Sequence, residues 1–299
     1  MSVPIAVVIP VHNQAFALSM TLHGFSLQSP PYNECPVWVV DDGSTEPVES
    51  VVEAYKGLLP VHYVKIRHGG RAAARNAGVE RLSDGLVIFN DADRMPRPGF
   101  IKAHADRYCA QGEGLTVGQV REMYVPDPGA HRDKVLDNYR LQKNDRQPQY
   151  VRLIRRLFAP DGRTDSRVPW ITALSGNLSV PVRLYRGLGG FDEKFSAWGF
   201  EHFEFGYRAF RKGAEFRYEE EAVNVHLAHP RSAAYEQLIR SSHAYFYEKH
   251  NRREIGVFLD FMLGKISLAE LERAACPEIP LEPGKARELS HYVRITNLS

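Results

Sequence analysis

Short apolar runs alternate with longer amphipathic stretches through roughly the first 120 residues of the chain. Ile5–Ile9 is a continuous apolar run stopped by Pro10, Val37–Val40 runs into Asp41-Asp42-Gly43-Ser44, and Leu86–Phe89 runs into Asn90-Asp91. Apolar runs of four to eight residues between polar or turn residues read as buried strands. Val61–Ile66 is the further strand of this set. Ala15–Gln28 and Arg71–Arg81 have helical character, and Val48, Val51, Val52 and Tyr55 form an i, i+3, i+4, i+7 stripe within Glu46–Lys56. Strands separated by helices imply an α/β fold: a Rossmann-like, mostly parallel sheet flanked by helices.

From Tyr124 to Pro169 the pattern gives way to a charged stretch containing Pro126, Pro128, Pro148 and Pro160, with possible helices over Lys134–Gln142 and Tyr150–Phe158. So long an insertion in a compact domain suits a segment that covers a substrate or contacts an acceptor, or a purely structural one. Residues 231–274 read as mainly helical, with Tyr235, Leu238, Ile239, Tyr245 and Phe246 as packing positions. A Pro-rich tail follows from Cys276. The organisation expected is a domain over 1–230, in halves 1–120 and 121–230, with a helical C-terminal extension over 231–299.

Composition narrows the class without naming it. With 299 residues, 43% hydrophobic and 25% charged, the chain matches an ordinary globular protein. A formal net charge of +2 gives no reason to expect a nucleic-acid partner. No stretch approaches the roughly 18 apolar residues that a membrane helix needs. The start, Met-Ser-Val-Pro-Ile, lacks a signal-peptide pattern, and Cys35, Cys109 and Cys276 lack metal-site spacing. The expectation is a cytoplasmic enzyme with free thiols, with peripheral membrane attachment and a homodimer as further options.

Chemistry concentrates where the apolar runs end. In a parallel sheet, ligands sit beyond the carboxyl ends of the strands, and those ends carry His12-Asn13, Asp41-Asp42 and Asp91-Ala92-Asp93. Asp91 and Asp93, one residue apart in extended chain, emerge on one side. Two hard oxygen donors so spaced suit Mg²⁺ or Mn²⁺, although Asp also serves turns and caps. Asp41 or Asp42 can accept from a nucleobase N–H or a ribose hydroxyl, or cap the next helix. Gly70-Arg71 opens an Ala-rich helix whose N-terminus favours anions.

Several ordered segments carry a resemblance. They are Val-Val-Ile-Pro-Val-His-Asn (7–13), Val-Val-Asp-Asp-Gly-Ser-Thr (39–45), Gly-Arg-Ala-Ala-Ala-Arg-Asn-Ala-Gly (70–78), Asn-Asp-Ala-Asp (90–93), Ser-Gly-Asn (175–177), Gly-Gly-Phe-Asp-Glu-Lys-Phe (189–195) and Trp-Gly-Phe-Glu-His-Phe-Glu-Phe-Gly-Tyr-Arg (198–208). In this order, over about residues 3–230, they resemble family 2 glycosyltransferases of the GT-A fold. The later segments are similar to the subgroup with bacterial polysaccharide polymerases and animal galactosyl- and polypeptide GalNAc-transferases. The resemblance implies transfer of a hexose or N-acetylhexosamine from a nucleotide diphosphate sugar, most often a UDP-sugar, to an acceptor hydroxyl, with a divalent cation.

What the resemblance implies for individual residues is as follows. Pro10, His12, Asn13, Asp41, Asp42, Arg71, Arg75, Asp91, Ala92 and Asp93 bind the nucleotide sugar, with Arg71 or Arg75 on the diphosphate or base and the other a surface ion pair. Asp93 is the firmer metal ligand, Asp91 lies nearer the ribose or a metal-bound water, and His226 completes the set, with His229 the nearby alternative. Gly176 and Asn177 approach the donor sugar or the acceptor, as do Gly199 and Trp198, the latter as a sugar platform or a core residue. Inverting relatives often have Trp-Gly-Gly-Glu-Asp where this chain has Trp198-Gly199-Phe200-Glu201-His202, so His202 or Glu201 is the base of an inverting displacement. Retaining GalNAc-transferases have Asn at the His202 position. The competing readings are a transferase-like scaffold without activity and a nucleotidyltransferase, whose Gly-rich loop after the first strand is missing from Val11-His12-Asn13-Gln14.

Overall fold

The alternation of runs becomes a single sheet. The computed structural model describes residues 3–195, 199–229 and 235–276. Its first part is β1 (Ile5–Val11), α1 (Ala15–Ser26), β2 (Val37–Asp42), α2 (Val48–Glu53), β3 (Val61–Ile66), α3 (Arg71–Val79) and β4 (Leu86–Asn90). These strands lie parallel in the order β3-β2-β1-β4, with Val8 beside Trp38 on one flank and Phe89 on the other. Val7, Val8, Ile9, Val39, Val40, Ile88 and Phe89 are all buried, as strands covered on both faces require. Gly78 lets α3 lie tight on this layer, because a Cβ there would overlap the Val8 side chain.

Beyond β4 the sheet changes character. The elements that follow are β5 (Arg94–Pro96), α4 (Phe100–Gln111), β6 (Leu115–Met123), α5 (Arg132–Leu141), β7 (Asp145–Arg146) and α6 (Gln149–Arg155). Then come β8 (Asn177–Pro181), α7 (Val182–Leu188), α8 (Glu201–Arg211) and β9 (Phe216–Leu227). The order continues β4-β8-β6-β9-β5, with β7 on the far end of β6. Here β6 and β9 are parallel, whereas β4–β8, β8–β6, β9–β5 and β6–β7 are antiparallel. The parallel character expected of most of the sheet holds in its first half, and the second half is mixed. The insertion carries two helices, α5 and α6, close to the expected positions.

The C-terminal helices α9 (Tyr235–His250), α10 (Arg253–Gly256), α11 (Phe258–Met262) and α12 (Leu268–Ala274) share the core of the sheet domain. Phe258 and Phe246 pack edge-on against buried Trp170, at 4.7 and 5.7 Å between ring centres. Ile239 and Phe246 are fully buried, as their spacing predicts, and Tyr245 is partly buried.

A buried carboxylate ties α8 to α9. Glu204 accepts from Arg208 Nε at 2.8 Å, from His250 Nε2 at 2.9 Å and from Lys249 Nζ at 2.8 Å. Burial pushes its carboxyl up, but His250, Arg208 and Lys249 outweigh that and hold it down to about 2. A folded-state value below the unfolded one adds stability that is complete above the unfolded value and disappears as pH falls through the folded one. Glu204 thus supports the fold above about pH 4.5 by roughly 3 kcal/mol, and that support is lost between about pH 4.5 and pH 2. Urea unfolding at pH 6 and pH 3 is expected to show this loss in the wild type and a much flatter dependence in Glu204→Gln. Equal slopes in the two proteins would refute the assignment.

Candidate active site

The strand ends bring the sequence-predicted residues to one edge of the sheet, but not in equal roles. At the β2 end, Asp41 is buried and spends both oxygens: Oδ1 accepts from Ser44 N at 2.7 Å and Oδ2 from Tyr63 Oη at 2.6 Å. Burial raises its carboxyl, and the Ser44 and Tyr63 hydrogen bonds more than reverse the effect. Asp42 accepts from Gly69 N and Gly70 N, at 2.7 and 2.9 Å. Both aspartates therefore shape the loops around the strand end. The expectation that one of them reads the base meets carboxylates already engaged by the protein.

Exposed groups at this end include His12, Asn13 and His68, the last of which the sequence did not single out. Asn13 sits at φ 50°, and its Oδ1 accepts from Thr45 N and Glu46 N. Its amide nitrogen is thereby turned to His12 Nε2, 3.2 Å away. The hydrogen-bond network assigns the His12 proton to Nδ1, which donates to the Asp42 carbonyl at 2.8 Å. The His12 and His68 rings lie 4.4 Å apart. Pro10 is buried inside β1, and Arg71 is exposed at the first position of α3.

Arg75 is neither on the surface nor open to a ligand. It is 1% exposed, and its Nη1 donates to Glu201 Oε1 at 3.0 Å while Nη2 donates to Asp91 Oδ1 at 2.9 Å. Arg94, another residue that the sequence did not single out, donates from Nε to Asp91 Oδ2 at 3.2 Å. Asp91 is thus pinned between two guanidiniums. Burial raises its carboxyl, and Arg75 and Arg94 bring it below the usual range. Gly176 serves this pairing, since a Cβ there would overlap Asp91 Oδ2 and Arg94 Nε.

Two expected sugar contacts lie in the core instead. Asn177 is fully buried; its Nδ2 donates to the Ala222 and Gln119 carbonyls at 2.8 and 3.1 Å, and its Oδ1 is 2.9 Å from His104 Nε2. It knits β8 to β6, β9 and α4, and does not reach a ligand. Ala92 is buried, with its carbonyl accepting from Thr21 Oγ1 at 2.8 Å, so it fixes the turn and leaves the contacts to its neighbours. Trp198 lies outside the described residues.

Asp93 is where donor atoms converge. Its Oδ2 accepts from Gln14 Nε2 at 3.2 Å and lies 3.5 Å from His226 Nε2 and 3.6 Å from His229 Nε2. The three possible ligand atoms of Asp93, His226 and His229 fall within 4.8 Å of one another. His226 Nδ1 is backed by Glu122 Oε1 at 3.6 Å, the carboxylate–imidazole arrangement that orients metal-binding histidines. One carboxylate and two imidazoles fit Mn²⁺ or another borderline divalent ion. Asp91 stands apart from this group because its oxygens face arginines. His226 and His229, offered as alternatives by the sequence, come together.

The entry to α8 holds the remaining pair. Gly199 at φ 82° and Phe200 at φ 70° turn the chain into the helix. A left-handed Phe costs about 1–2 kcal/mol, and its ring repays this by packing against Phe203, Phe246 and Phe258. That packing explains how a phenylalanine stands where relatives have glycine. His202 Nδ1 lies 3.5 Å from Glu201 Oε1, with 15% of its side chain accessible against 5% for Glu201. Burial raises the Glu201 carboxyl, while His202 and Arg75 drive it well below the usual range.

Comparison with known proteins shows the family and the fold. The family model described as glycosyl transferase family 2 matches residues 6–159, just over half of the chain. The chain is 27% identical over 277 residues to a chondroitin synthase of Escherichia coli, covering 84% of this chain and 40% of that one. It spans 40–56% of the length of the first curated relatives it matches. Among solved structures, S. aureus TarS 1–349 in complex with UDP-GlcNAc superimposes with a TM-score of 0.61 at 18% identity, over 91% of this chain and 70% of that one. The mannosyltransferase PcManGT from Pyrobaculum calidifontis, in complex with GDP-Man and Mn²⁺, gives 0.56 at 17% identity, over 83% and 65%. The fold is the GT-A fold implied by the sequence resemblance. With these matches over residues that build the strand ends and Asp93, the chain belongs to glycosyl transferase family 2.

Proposed function

We propose that the chain transfers a hexose or N-acetylhexosamine from a UDP-sugar to an acceptor hydroxyl with inversion, dependent on a divalent cation. The observation that carries the reading is the convergence of Asp93, His226 and His229 on the strand-end edge of a family 2 domain. The UDP-GlcNAc and GDP-Man–Mn²⁺ complexes of the structural neighbours support the donor class and the cation. A cation held by Asp93, His226 and His229 would supply charge neutralisation for the departing diphosphate. His12, Asn13 and His68 border the nucleoside end, and Arg71 opens α3 beside it. No helix among the described residues is long and apolar enough to cross a membrane. The free thiols Cys35, Cys109 and Cys276 support a reducing, cytoplasmic setting.

The base follows from which carboxylate is already committed. Glu201 faces a buried guanidinium at 3.0 Å, which stabilises its charge and weakens it as a proton acceptor. Its remaining action is on His202: a carboxylate near Nδ1 favours the proton there and leaves Nε2 free to take the acceptor proton. Glu201 is then the orienting partner and His202 the base of a single displacement.

The test is nucleotide release from UDP-, GDP- and dTDP-sugars with Mn²⁺ or EDTA. Release from one UDP-sugar, lost in EDTA, is expected. His202→Ala is expected to slow transfer by roughly a hundredfold or more, with donor KM little changed. Failure of every nucleotide sugar to bind or react would reject the transferase reading. A fully active His202→Ala would reject only the base assignment.

A further inference from the structure

Strand register carries a row of charged side chains away from Asp93. Directly opposed residues on neighbouring strands share a sheet face, and the pairs here are Arg94 with His226, His226 with Glu122, and Glu122 with Arg146. The contacts follow the register: His226 Nδ1 to Glu122 Oε1 at 3.6 Å, then Glu122 Oε2 to Arg146 Nε at 3.6 Å. The other face of these strands packs Met95, Met123, Val125, Val225 and Leu227 into a buried cluster. Between buried Met123 and Val125, Tyr124 therefore points to the charged face, and it is 61% exposed.

The row ends in two accessible groups. The Arg146 side chain is 63% exposed, and its Nε lies 3.6 Å from Glu122 Oε2, a long contact. A free guanidinium fork binds carboxylate or phosphate in a planar, paired manner. A tyrosine ring offers an apolar face with a polar tip, suited to the C–H face of a sugar ring. The strand ends beside the nucleoside belong to β1, β2 and β3, which pair with neither β6 nor β7. From Asp93 this pair is reached through His226 and Glu122, and not through His12, Asn13 or His68.

We propose that Tyr124 and Arg146 form an acceptor subsite for a carbohydrate that bears an anionic group, a carboxylate or a phosphate. The assignment of this pair to the acceptor rests on the reading of the Asp93 site as the donor site. Tyr124 supports the sugar ring, and Arg146 selects the charge.

Binding by titration calorimetry, with UDP and Mn²⁺ present, tests this with three probes: methyl β-glucoside, methyl β-glucuronide and methyl β-glucoside 6-phosphate. One of the anionic probes is expected to bind at least roughly tenfold more tightly than the neutral one, and which of them does so identifies the group. Arg146→Ala should erase the preference, Arg146→Lys should keep part of it, and Tyr124→Ala should weaken all three probes. Equal affinities, no binding of any probe, or a preference that survives Arg146→Ala would overturn the proposal. UDP binding is titrated separately, so loss of the donor reading is told apart from loss of the subsite.

Discussion

Asp93→Asn is expected to lower metal-dependent nucleotide release on the order of a thousandfold, since charge neutralisation by a bound cation is worth several kcal/mol and each 1.36 kcal/mol is a factor of ten. Asp93 is the only carboxylate of its trio, beside His226 and His229. Asparagine keeps the shape and the Gln14 neighbour while removing the charge proposed to hold a cation beside the two histidines. Burial opposes that charge and His226 favours it, so the carboxyl sits well below its usual range and stays ionised. The check is the Mn²⁺ dependence of UDP release, with Mn²⁺ binding measured alongside. A variant with unchanged Mn²⁺ affinity and rate would show that the cation is held elsewhere.

The legibility of this site in the sequence follows the physics of its strands. β1, β2 and β4 are largely buried on both faces, so they appear as unbroken apolar runs, while the edge strand β3, with His62 and Lys65 exposed, is still recovered residue for residue over Val61–Ile66. β6 and β9 carry the second half of the site and give no such run. β6 includes Gly118, Gln119, Arg121 and Glu122; β9 includes Glu219, Glu220 and Glu221, where the register shifts at Gly118/Gln119. Glu122 consequently stayed hidden until β6 was laid beside His226. Asp93 was legible because its chemistry is local, two carboxylates at the end of a run. Arg75 was legible as a charge and not as a partner. Its second carboxylate, Glu201, lies 126 residues away, and no periodicity joins the two. Asn177 was expected at the sugar from the family resemblance alone, whereas β8 places it in the core against His104, a partner 73 residues away that no local pattern signals.

Arg75→Met is expected to destabilise the protein by about 3–5 kcal/mol, the usual cost of removing one partner from a buried ion pair. Two carboxylates would be affected at once, but not equally. Asp91 keeps Arg94 at 3.2 Å, whereas Glu201 keeps His202 at 3.5 Å and the more distant charge of Arg71. Most of the loss should therefore arise at Glu201, and Arg75→Met combined with Glu201→Gln should recover much of the stability. It should not recover transfer, because the double variant still lacks the bridge between the β4 end and the first residue of α8. Arg75→Lys separates charge from geometry: one ammonium cannot reproduce two N–H contacts to carboxylates on different elements. That variant should remain folded in urea titrations and bind UDP while transferring slowly. Arg75→Lys with wild-type turnover would mean that the bridge only fills the core. Slow turnover with UDP binding retained would mean that the same guanidinium sets the spacing between donor and base.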